Sequence, residues 1–101
     1  MTTVRPLAEL EGEPHANVFP GDEPKTIRLT LADSETVPPH THPGRDIVLY
    51  LLEGAIELHL DEEIHEVTAG DIARFEGERE ISPRALEDSV ALLVLAPRSD
   101  E

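Results

Sequence analysis

The chain has 101 residues, no cysteine and a formal net charge of −14, from 22 Asp and Glu against 8 Lys and Arg. Disulfides, thiolate metal sites and cysteine nucleophiles are excluded, and nucleic acid and anionic membranes are poor partners for a chain without clustered cations. No apolar run reaches the roughly 20 residues that span a bilayer, and the N-terminus lacks the order of a secretory signal, so a cytoplasmic location is expected.

Residues 1–15 carry charge, two prolines and no periodicity, and read as an N-terminal arm able to pair at a sheet edge. A short strand is expected at 16–19, followed by a turn at 20–24. Residues 25–32 alternate cleanly: Ile27, Leu29 and Leu31 share one face, as a half-buried strand requires. Further strands are expected at 46–53, 55–60, 64–67, 71–75, 80–82 and 89–96. Pro83 interrupts the seventh and Pro97 ends the last. No segment holds a helical period over ten residues. About eight short strands separated by Gly, Pro and Asp turns predict an all-β sandwich or barrel. With three aromatic residues, Phe19, Tyr50 and Phe75, its core must be aliphatic. Lys25 is the only lysine beside seven arginines. That scarcity, with the acidic excess, points to a halophilic surface whose self-repulsion is screened by salt.

The chemistry concentrates in residues 38–54. His40 and His42 are two positions apart, so in an extended strand both imidazoles project to one side. Asp46 follows the Pro43–Gly44 turn at the start of the most apolar strand. His59 and Glu57 fall on the outer face of a hairpin, His65 reads as a surface residue, and His15 sits in the arm without a signal of its own. Tyr50 shares parity with Asp46 and reads as core beside Val48 and Leu52. Arg79 and Arg84 are expected to pair with nearby carboxylates.

The segment from His40 to Glu80 resembles the core of the cupin family. The family's first motif is His-x-His, an acidic residue three or four positions on, and a glycine about seven residues further. His40, His42, Asp46 and Gly54 follow it, with Gly54 one residue late, which suggests a bulge. Gly70, Asp71 and Gly77 follow the second motif, and Glu80 stands where that motif has its third histidine. The resemblance implies a single-domain cupin-type jelly-roll β-barrel over residues 16–97, with a polar tail at 98–101, a metal inside, and a homodimer. If Ile81 packs outward, Glu80 points inward, so the expected ligands are His40, His42, Asp46 and Glu80. Such an oxygen-rich set would take Mn, Fe or Zn. The implied function is a small metal-binding cupin without assigned activity, with room for a small-molecule ligand. The alternative is a metal-dependent oxygenase or isomerase acting on a small polar molecule.

Overall fold

The computed structural model describes residues 2–98. After a short 3-10 turn at Leu7–Glu9 come eight strands: β1 (His15–Asn17), β2 (Lys25–Leu31), β3 (Arg45–Glu53), β4 (Ala55–Leu60), β5 (Glu63–Thr68), β6 (Ile72–Glu76), β7 (Ile81–Ala85) and β8 (Ser89–Pro97). Hydrogen bonding divides them between two sheets, ordered β1-β2-β8-β3-β6 and β5-β4-β7, with every pairing antiparallel. The domain is thus a two-sheet all-β fold. Residues 36–40 run beside β7 through isolated bridges, Thr36 opposite Arg84 and His40 opposite Ile81.

The core lies between the sheets and is aliphatic, as the composition requires. On β3, Ile47, Leu49 and Leu51 are fully buried, and from the other sheet Ile56, Leu58 and Ile81 face them. Each such side chain contributes roughly 1.5–3 kcal/mol on burial. Phe75 is the one aromatic residue of this core.

Several local expectations are corrected. Tyr50, expected in the core, lies on the outer face of β3 with Val48 and Leu52, because the buried parity is that of Ile47. β2 is covered on both faces: Arg28, opposite in parity to Ile27 and Leu29, is only 6% exposed. The N-terminal arm covers it, with the Arg28 guanidinium donating to the carbonyls of Leu7, Leu10 and Gly12 at 2.6, 3.0 and 3.2 Å. Pro83 does not interrupt β7 but lies within it, opposite Leu58. Its neighbours Ile81 and Ala85 donate to the carbonyls of His40 and Glu35. The donor that Pro83 lacks therefore faces the irregular 36–40 segment and not the β4 ladder. Likewise Pro97 belongs to β8. Of the 98–101 tail, Arg98 is tied back to Asp46 and Glu78, while 99–101 lie outside the described residues.

The bulge expected before Gly54 is present, as a register shift between Leu51 and Glu53 in the pairing of β3 with β8. Gly54 follows at φ 88°, and a Cβ there would collide with the Asp88 carbonyl and the Ser89 hydroxyl.

Candidate functional site

His40 enters the site because its backbone pairs with Ile81. His40 N–H donates to the Ile81 carbonyl at 3.1 Å and Ile81 N–H to the His40 carbonyl at 2.8 Å. Residues directly opposite in an antiparallel pair share a face, and Ile81 is 3% exposed toward the core, so His40 faces inward too. His42 is fixed by Gly77. Its N–H donates to the Gly77 carbonyl at 2.6 Å, and any Cβ on residue 77 would run into the His42 carbonyl. Gly77 is thus required for close backbone approach.

The two imidazoles stand 4.9 Å apart between ring centres and perpendicular to each other. His40 Nδ1 lies 3.0 Å from the Pro38 carbonyl. As the donor in that bond, Nδ1 leaves Nε2 with its lone pair free. His15, on β1 opposite Leu29, brings a third ring to within 6.5 Å of His40. Burial, and then the neighbouring His40, push the proton affinities of His15 and His42 down; Lys25 adds to the effect on His42. Both rings are therefore biased toward the neutral form that ligates metals.

These histidines rim a cavity of about 480 Å³ together with Lys25, a size that suits a small organic ligand. Its walls are apolar, from Ile27, Val37, Leu93 and Leu95. A larger cleft of about 730 Å³ between β5 and β6 contains neither His40 nor His42. Its arginines are already engaged, Arg74 with Asp46 and Arg79 with Asp61 and Glu63.

The structure brings together His40 and His42 but neither expected carboxylate. Asp46 sits on the outer face of β3, where Arg98 and Arg74 each hold it at 3.2 Å. Glu80 is exposed, because Ile81 packs inward and not outward; its N–H donates to Asp61 Oδ1 at 2.9 Å. Ile81 faces inward opposite His40, and on β3 the inward residue next to Asp46 is Ile47, paired with the cavity residue Leu95. Counting seven residues back from Gly54 reaches Ile47, five places after His42, so the glycine that stands one residue late for Asp46 is in register with an isoleucine. His59 and His65 pair with Glu57 and Glu63 on the surface, and Arg84 approaches Glu57 at 3.8 Å, as expected.

Two residues of the site escaped sequence reasoning. Lys25 was legible, since it shares the parity of Ile27 and Leu29. His15 was not: a three-residue strand has too little alternation to declare a face.

The donor chemistry fits a metal only in part. Two imidazoles on one tetrahedral ion at about 2.0–2.1 Å stand roughly 5 Å apart between centres, which the 4.9 Å of His40 and His42 satisfies. The 6.5 Å to His15 is too long, and among the described residues no group of three His, Asp or Glu is arranged to hold an ion.

A two-sheet β-fold with a histidine-rimmed cavity at its mouth defines the class. The Cupin domain family model matches residues 27–96, and the chain belongs to that family. No curated protein matches it. Among solved structures it is similar to a conserved protein with a double-stranded β-helix domain from Klebsiella pneumoniae, at 16% identity over 100% of this chain and 95% of that one, TM-score 0.82. It is similar to an RmlC-like cupin from Desulfovibrio desulfuricans, at 18% identity, covering 98% and 99%, TM-score 0.76. It is also similar to KdgF from Halomonas sp., at 23% identity, covering 88% and 85%, TM-score 0.71. At these identities the likeness is one of fold. No helix among the described residues is long and apolar enough to cross a membrane.

Proposed function

We propose that this cupin is a small-molecule-binding module, working as a homodimer, whose jelly-roll mouth holds a divalent cation on His40 and His42. The observation that carries the reading is the 4.9 Å pair of imidazoles, one anchored through Nδ1 to the Pro38 carbonyl. When bound, the cation would act as a Lewis acid toward an oxygen of the ligand. The chain's own part is to present the imidazole nitrogens of His40 and His42, to keep the rest of the coordination sphere open, and to wall the cavity with aliphatic side chains. Without Asp46 and Glu80 the protein donors are nitrogens alone, which favours Zn, Ni or Cu over Mn. The test is equilibrium dialysis against Zn, Ni and Mn followed by elemental analysis. The wild type is expected to retain Zn or Ni, His42→Ala to lose it, and Asp46→Asn and Glu80→Ala to bind as the wild type does. Retention by His42→Ala, or loss in Glu80→Ala, would overturn the assignment.

A further inference from the structure

The single lysine of a chain with net charge −14 lines the same cavity as His15, His40 and His42. Lys25 opens β2, half-buried, opposite Leu95 and on the inward face shared with Ile27. Its ammonium has no carboxylate within ion-pair distance among the described residues. The arginines differ. Arg45, Arg74, Arg79, Arg84 and Arg98 each hold at least one acid, and Arg28 is spent on arm carbonyls. Among the side chains of the described residues, Lys25 is, apart from Arg5 on the arm, the cation left over. Glu23, two residues away, is the natural counter-ion, but Arg45 grips both its oxygens at 2.7 and 3.0 Å.

An ammonium lining a cavity with no carboxylate in ion-pair distance offers its charge to an anion that enters. Besides the histidines and Asn17, the cavity is walled by Ile27, Val37, Pro38, Pro39, Leu93 and Leu95. A single ammonium acts as a point charge and balances one negative charge. The apolar walls reward a hydrocarbon body. Phosphate, compact and carrying more charge, would leave those walls in water and call for the forked donors of arginine. We infer that the ligand of this cavity is a small monocarboxylate with a short apolar body, its carboxylate on Lys25 and its hydrocarbon against Ile27, Leu93 and Leu95. The inference rests on reading the His40–His42 cavity as the ligand site.

The test titrates the full chain, supplied with zinc, with butyrate, butyramide and inorganic phosphate by calorimetry, using wild type, Lys25→Gln and Lys25→Arg. Butyrate is expected to bind at least about tenfold more tightly than isosteric butyramide, and more tightly than phosphate. Lys25→Gln is expected to lose that preference and Lys25→Arg to recover most of it. Equal binding of butyrate and butyramide, tighter binding of phosphate, or an undiminished preference in Lys25→Gln overturns the inference. The wild-type comparison of acid with amide is repeated on protein dialysed free of zinc, where no bound cation can prefer the acid, and it stands whether or not the glutamine variant folds. Zinc content of the wild type is measured in parallel. Zinc bound without a charge preference overturns the carboxylate inference and leaves the metal reading standing. A Lys25-dependent preference in protein that takes up no zinc supports the inference and overturns the metal reading.

Discussion

Asp46 and Ile47 are neighbours in the chain and lie on opposite faces of β3. Asp46 points outward into a pair of arginines, Arg74 and Arg98, while Ile47 is fully buried between the sheets. The side-chain period of a strand is two, so a one-residue error of register exchanges core and surface. Here it exchanges a carboxylate for a buried isoleucine paired with Leu95, which lines the histidine cavity. Neither Asp46 nor Ile47 lines the cavity, whose aliphatic walls come from Ile27, Val37, Leu93 and Leu95.

The same relationship makes Ile47→Glu informative. Without metal, the variant would bury a carboxylate in an aliphatic core, a cost of several kcal/mol against a total stability of about 5–15 kcal/mol. Urea denaturation in EDTA is expected to show a loss of at least about 3 kcal/mol. Wild-type stability in EDTA would mean that residue 47 does not face the core.

Arg28 supplies a second test. One guanidinium holds three carbonyls of the arm, at Leu7, Leu10 and Gly12, and its Nε is left without a partner. Lysine cannot reproduce a planar fork of donors. Arg28→Lys is expected to lose about 1.5–3 kcal/mol, the worth of charged hydrogen bonds, and to speed amide exchange across residues 5–12 while exchange in β3 and β8 keeps its rank order. Unchanged exchange in the arm would show that contacts other than Arg28 hold it.

The fold was legible in the sequence because alternation in β2 and β4 and the punctuation by Gly54, Gly70 and Gly77 are local signals. The site was legible only where backbone and side chain agree. His40 and His42 declare themselves by spacing. Asp46 and Glu80 matched a motif by residue type but not by face, and the correct parity was written in Leu49, Leu51 and Ile81. His15 and the arm's grip on Arg28 depend on contacts between distant parts of the chain, for which no local pattern exists.

Glu78, with Glu23, Asp61 and Glu63, is one of the carboxyls that hydrogen bonds hold below their ordinary range. Hydrogen bonds from Arg98 first, and then from the Gly44 N–H at 2.8 Å, hold its carboxyl at about 2, below the ordinary 4.5. A folded-state value below the unfolded one contributes stability that is fully present above pH 4.5 and fades as pH falls through about 2. Glu78→Gln is therefore expected to melt below the wild type at pH 7, with the gap closing as the pH is lowered from 4.5 toward 2. A gap independent of pH would assign the loss to shape and not to charge.

The outer face of the five-stranded sheet carries the last prediction. Register aligns Ile72 with Tyr50 and Tyr50 with Leu92, an apolar row across β6, β3 and β8, and sets Val48 beside Val94 in the next row. Ile72 is 68% and Tyr50 38% exposed, and the long strands β3 and β8 thus carry apolar side chains on both faces. A contiguous apolar face of this kind marks an interaction surface, and a second copy packed face to face would cover the same row on both partners. The charge of −14 opposes such pairing at low ionic strength, and screening relieves it. Light scattering at micromolar protein is expected to give twice the 11.1 kDa chain mass, with the dimer fraction rising as KCl is raised. Leu92→Glu is expected to give a folded monomer, because the new charge lies mid-row between Tyr50 and Arg28. An 11.1 kDa wild type in molar KCl would leave this face without a partner. A dimer indifferent to Leu92→Glu would move the interface to the unpaired edges at β5 and β6.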